Sequence, residues 1–137
     1  MKRFIYASIM SIAMLFLSGC GGGGDAVITS LNINNLEDGY DVAVKDSSGD
    51  EYIANFCQDK LRYYRMDGTF VVERFYWITG SYLDISELDD GTRDWYWDVT
   101  APHAEILEVG VLYDEYDSDN DFILDREILS IEKVPCP

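Results

Sequence analysis

The sequence predicts an all-β domain, an antiparallel meander closed as a small barrel or packed as a sandwich, following an N-terminal signal helix and a glycine-rich tether. Three observations carry this. Beyond residue 25 apolar residues alternate with polar ones and seldom recur at helical spacing. Turn signals (Asp38-Gly39, Ser48-Gly49-Asp50, Asp67-Gly68 and Asp89-Asp90-Gly91) punctuate the alternating runs. The runs between them are short and evenly spaced, as in sandwiches and barrels, and a barrel is the first choice.

Three segments follow in order. Residues 1–19 open with Lys2 and Arg3 and continue into an apolar run over 7–17 broken only by Ser8 and Ser11. That run is shorter than the roughly 20 residues of a membrane-spanning helix, so it reads as a secretory signal. Residues 20–25 hold Cys20 and four glycines, a tether reaching about 12 Å in root-mean-square terms. Residues 26–137 form one domain, with strands expected near 27–33, 40–45, 51–57, 61–66, 69–78, 81–86, 93–100, 105–115 and 121–133.

The alternation is clearest at 94–100, where Trp95, Trp97 and Val99 share one face and Asp94, Tyr96 and Asp98 the other. Leu107, Val109, Val111 and Tyr113 form a second period-two set, and Tyr52, Ala54 and Phe56 a third. Asp67-Gly68 is the strongest hairpin signal, joining 61–66 to 69–78 through two residues that tolerate positive φ. Pro102 and His103 break the chain before 105–115. Leu124, Ile128 and Ile131 would also suit a short helix, an alternative to the last strand.

Composition agrees with a folded domain. Of 137 residues, 47% are hydrophobic and 14% aromatic, too many for a disordered chain. Removing 1–19 leaves 118 residues, enough to bury roughly 65% of the unfolded surface. It also removes Lys2 and Arg3, taking the formal charge from −16 to −18. Such a surface repels phosphate backbones and anionic head groups, so nucleic acid is excluded as a partner.

The signal ends on Leu17-Ser18-Gly19-Cys20. This break resembles the lipobox of bacterial lipoproteins. The resemblance covers residues 1–20 and implies diacylglycerol on Cys20, cleavage before it, and a third acyl chain (palmitate) on the new amino group. Several acyl chains together give stable membrane anchoring. Gly21 replaces the aspartate that retains such proteins at the inner membrane in enterobacteria-like sorting, so the resemblance points to the outer membrane.

Asp67-Gly68-Thr69-Phe70 followed by Gly80-Ser81-Tyr82-Leu83-Asp84-Ile85 is similar to small lipocalin-like bacterial lipoproteins, over about a fifth of the mature chain. That resemblance implies an apolar cavity for a small ligand, with Phe75, Tyr76, Trp77, Trp95 and Trp97 as candidate lining. The rival expectation is that these aromatics fill an ordinary core.

With Cys20 lipidated, Cys57 and Cys136 remain as an even pair in an exported chain and are expected to be bonded. No Cys-x-x-Cys supports a redox role. His103 is the sole histidine and no Gly-x-Ser-x-Gly elbow exists, so neither a histidine-built zinc site nor a serine hydrolase is supported, and no cofactor is implied. Asp117, Asp119, Asp121 and Asp125 fall at the first, third, fifth and ninth places of a calcium-loop pattern. Phe122 stands where that loop needs glycine, and Ile128 where it needs a bidentate glutamate. A solvated hairpin tip is therefore expected.

The function expected from these readings is that of a non-enzymatic, membrane-anchored envelope lipoprotein that binds or scaffolds a protein partner. The alternative is a lipocalin-like carrier of a small apolar ligand. A tryptophan-lined cavity of a few hundred Å3 favours the carrier, and a filled core with an exposed aromatic patch favours the scaffold.

Overall fold

Alternation becomes ten strands in the computed structural model, which describes residues 27–101 and 103–136. They are β1 (Ser30–Asn32), β2 (Tyr40–Asp46), β3 (Glu51–Cys57), β4 (Lys60–Arg65), β5 (Phe70–Thr79), β6 (Tyr82–Ser86), β7 (Trp95–Asp98), β8 (Ile106–Glu108), β9 (Leu112–Asp117) and β10 (Phe122–Lys133). Eight of them close an antiparallel barrel in the order β10-β2-β3-β4-β5-β6-β7-β9, while β1 and β8 pair as a separate two-stranded sheet. Barrel, not sandwich, is the outcome. The signal segment, Cys20, the tether and Pro102 lie outside the described residues.

One phase of the alternation fills the lumen. Val42 and Val44, Ala54 and Phe56, Leu61, Leu83, Trp97 and Ile128 are fully buried. The opposite phase carries Asp41, Lys45, Arg62 and Glu73 together with exposed Tyr82 and Phe122, so the outer wall is mixed while the lumen is largely apolar. No helix among the described residues is long and apolar enough to cross a membrane.

Closure comes from β10 pairing with β2, from Arg126↔Asp46 to Lys133↔Tyr40. A bulge between Ile128 and Ser130 adds one residue there, so Ile128 and Ile131 both face inward, against Val44 and Val42. A second irregularity falls between Phe122 and Leu124. The bulged strand thus imitates the helical spacing of Leu124, Ile128 and Ile131.

Two expected strands are corrected. The segment 27–33 forms only β1, with Ile28 bridging singly to Ile131, and Ile33–Asp38 turns into a 3₁₀ helix. Asp38-Gly39, read as a hairpin signal, ends that helix. Asn32 Oδ1 accepts the Asn34 N–H at 2.8 Å at its start, and Gly39 donates to the Leu36 carbonyl at 3.1 Å with φ 106°. A Cβ on Gly39 would run into the Val134 carbonyl, so glycine is required there. The segment 105–115 divides into β8 and β9 at Gly110, whose φ is 88° and whose N–H donates to Ile128 at 2.7 Å. Leu107 and Tyr113 are consequently buried in different sheets, while Val109 is exposed.

The barrel has unlike ends. The 3₁₀ helix closes one, sinking Ile33 and Leu36 into the core beside Leu31 and Leu107 of the small sheet. The hairpins β2–β3, β4–β5 and β9–β10 ring the other, the mouth. Cys57 at the end of β3 is bonded to Cys136, with Cα atoms 5.6 Å apart, fastening the C-terminal segment to the closed end. Replacing both cysteines by alanine is expected to lower stability by roughly 2–4 kcal/mol. Urea titration checks this: an unchanged midpoint would show that the closed end holds without the bond.

Candidate functional site

Strand alternation on β9 turns Glu115 inward with Tyr113, and on β10 it turns Arg126 inward with Ile128. Two charged side chains therefore stand in the apolar phase. Glu115 is 6% exposed and Arg126 9%. Burial at that level costs several kcal/mol per ion unless partners replace water. Here they do. Glu115 Oε1 accepts from Arg126 Nε at 2.8 Å and from Trp97 Nε1 at 3.0 Å. The guanidinium also lies over Tyr63, 5.4 Å from the ring centre, and over Trp97 at 5.8 Å.

Asp46 stands directly across β2–β10 from Arg126. Its Oδ1 accepts from Ser48 N–H at 3.0 Å, Ser48 Oγ at 2.6 Å and Asp50 N–H at 3.0 Å. Burial works against the Asp46 carboxylate, but these bonds outweigh it and hold the group below its ordinary range. Burial likewise opposes the charge on Arg126, and Tyr63, Glu115 and Asp46 more than offset it, so the guanidinium stays charged. Burial pushes the Tyr63 hydroxyl up to about 12, so it remains a neutral donor.

Above this cluster the mouth holds a cavity of about 270 Å3. Tyr52, Tyr63, Val72, Ile85 and Trp95 supply its aromatic and aliphatic walls. Arg74 on β5 completes the lining, its guanidinium 5.0 Å from the Trp95 ring centre. In the ring of eight strands β5 is four places from β10, so Arg74 faces the Asp46–Arg126–Glu115 cluster across the lumen. Arg74 makes no ion pair with the described residues. Buried donors, acceptors and flat apolar walls converging on one opening suit recognition of a small molecule.

The structure divides the five expected lining residues. Trp95 lines the cavity. Trp97 is fully buried and holds Glu115 from behind. Tyr76 sits lower in the core, edge-on to Phe56 at 5.0 Å, and its hydroxyl, at the closed-end groove, has no partner among the described residues. Phase places Phe75 and Trp77 on the outer face, Phe75 beneath Lys60 at 5.3 Å. Trp77 borders a separate groove beside Glu37, Gln58 and Asp59 at the closed end. The cavity is also not purely apolar, because Asp46, Arg74, Glu115 and Arg126 line it. The sequence carried a signal for the missed residues: Glu115 and Arg126 stand two positions from Tyr113 and Ile128, charges in the core phase.

Asp117, Asp119 and Asp121 do come together, with carboxylate oxygens within 4.8 Å at the β9–β10 tip. Asp117 Oδ1 accepts from the N–H of Asp119 at 2.9 Å and of Asp121 at 3.0 Å, so it closes the turn. Asp125 lies away from the tip, on β10 opposite Asp114. Sharing a hydrogen bond with that carboxyl raises its pKa. The ninth place of the loop pattern is thus spent elsewhere. His103 is exposed, 3.9 Å from Glu108.

No family model matches the chain, and no solved structure matches it. Sixty residues are 35% identical to Foldase protein PrsA 2 of Listeria monocytogenes serotype 4b, and the same holds for that of serovar 1/2a. The match covers 44% of this chain and 20% of each relative. The chain therefore spans about a fifth of the curated relatives it matches.

With the turn already closed by Asp117 and no ninth or twelfth ligand beside it, calcium is expected to bind more weakly than about 10⁻⁴ M and barely to raise the melting temperature. Calorimetric titration measures this. A stoichiometric micromolar site abolished by Asp119→Asn would contradict it.

Proposed function

We propose that the chain is an exported, lipid-anchored and non-enzymatic binding protein that takes a small organic molecule into the barrel mouth. One observation carries this reading: the lumen is packed below Glu115 and Arg126 and open above them. An ion pair of this kind is rarely better for stability than apolar side chains of similar volume. Its place on a cavity wall, with aromatic rings around it, accords with recognition. The cavity's volume lies just below the usual range of ligand pockets, which suits a small, flat molecule.

The envelope address rests on Leu17-Ser18-Gly19-Cys20, with Gly21 favouring the outer membrane. The disulfide suits an oxidising compartment. Ile28 bridges to Ile131 in the closed half of the barrel, so an anchor at Cys20 would hold that half toward the bilayer and turn the mouth away. The partial likeness to foldases adds no activity to this reading. A second reading, docking of a protein partner, is favoured by an aromatic row on the outer wall. Tyr82, Tyr96, Tyr116 and Phe122 stand 5.4, 5.3 and 6.0 Å apart in succession, and Tyr82 and Phe122 are exposed.

Amide NMR titration of the mature domain with small aromatic fragments tests the binding role. Shifts are expected at Tyr52, Tyr63, Ile85 and Trp95, and Val72→Phe should abolish them while keeping the fold. Shifts confined to Tyr96 and Tyr116 would instead favour the outer wall. For the anchor, Cys20→Ser is expected to leave an unprocessed or soluble form. Recovery of a mature acylated species from membranes would overturn that part.

A further inference from the structure

The charges around the mouth are divided between its two sides. Asp46, Arg126 and Glu115 on β2, β10 and β9 sum to one net negative charge, and Arg74 on the opposite β5 restores neutrality. The negative side has acceptors to spare. Glu115 and Asp46 each use a single oxygen, so Glu115 Oε2 and Asp46 Oδ2 accept nothing from the described residues, while Arg126 between them is engaged through Nε. On the positive side Arg74 is half-buried and, among the described residues, donates only to the Glu73 carbonyl, at 3.4 Å. Its planar fork suits a carboxylate, and Trp95 beneath it holds the fork in place.

A ligand with one charge fits only half of this arrangement. A lone anion satisfies Arg74 but faces Asp46 and Glu115, whose two charges exceed the one of Arg126 between them, and it is repelled by a mature chain carrying −18. A lone cation satisfies the acids but leaves Arg74 unpaired. A molecule carrying both charges meets both sides, and its zero net charge frees it from that repulsion. Resting on the mouth as the binding site, we infer that the ligand is a small zwitterion of the amino-acid type. Its ammonium group lies toward Asp46 and Glu115, its carboxylate on Arg74, and its apolar side chain against Trp95 and Ile85. The cavity volume, equal to the share of about nine water molecules, admits a molecule the size of phenylalanine.

The test compares phenylalanine with its two single-charge relatives, phenethylamine and phenylpropionate, by NMR titration of the disulfide-intact mature domain. Phenylalanine is expected to shift the mouth resonances and to bind about tenfold or more tighter than either relative. Arg74→Gln should bring phenylalanine down to the affinity of phenethylamine and leave phenethylamine itself unchanged. Asp46→Asn, which keeps the oxygen that closes the turn, should weaken both amines together. Thermal melts of each variant verify folding. A single-charge relative binding as tightly as phenylalanine overturns the ligand class and leaves the mouth standing as a site. Failure of all three to move the mouth resonances also overturns the class, while the mouth itself is judged by the fragment titration.

Discussion

Glu115 is a carboxylate removed from water on the inner wall of a barrel, and the donors that compensate it come from the strands on either side. Arg126 reaches it from β10, and the Trp97 indole from β7. Three neighbouring strands are therefore tied at one height of the lumen by a group that is costly to bury and more costly to leave unpaired. Register follows from the same group. Sliding β9 by one residue would carry Glu115 and Tyr113 to the outer face and deprive Arg126 of its hydrogen-bonded carboxylate, leaving Asp46 alone to balance it. Below the tie the lumen is filled by Trp97, Phe56, Leu61 and Val44, and above it stands the cavity.

The closed end gives that arrangement a fixed base. Ile33 and Leu36 enter the barrel from a 3₁₀ helix that stops where Gly39 meets Val134, and the Cys57–Cys136 bond holds the same corner. Ile33 and Leu36 are almost fully buried there, and the fixed end lets the mouth carry charge without loosening the whole wall. Opposite charges on facing strands then give the opening a direction, which is the property that selects a dipolar ligand.

Period-two alternation made most of the barrel legible from sequence. Trp95, Trp97 and Val99 share a face, as do Tyr52, Ala54 and Phe56, and nearly every turn signal falls between strands. What misled was local chemistry with two uses. Asp38-Gly39 suits a hairpin as well as the end of a 3₁₀ helix, and only the nearness of Val134 distinguishes them. Gly110 interrupts an alternation that otherwise runs unbroken from Leu107 to Tyr113. Bulges in β10 mimic helical spacing. The site was the least legible part, because aromatic content drew attention to Phe75, Tyr76 and Trp77. The informative residues were the charges in the core phase, Glu115 and Arg126, whose partners lie on other strands.

The mutual dependence of Glu115 and Arg126 inside the barrel is tested most directly by a double-mutant cycle read by urea denaturation. Arg126→Met alone is expected to cost roughly 3–5 kcal/mol, since it leaves a buried carboxylate with one neutral donor. Adding Glu115→Leu should recover much of that loss, giving a coupling of at least about 1.5 kcal/mol between the two sites. Single costs that simply add, or a free Arg126→Met variant as stable as the parent, would contradict the account.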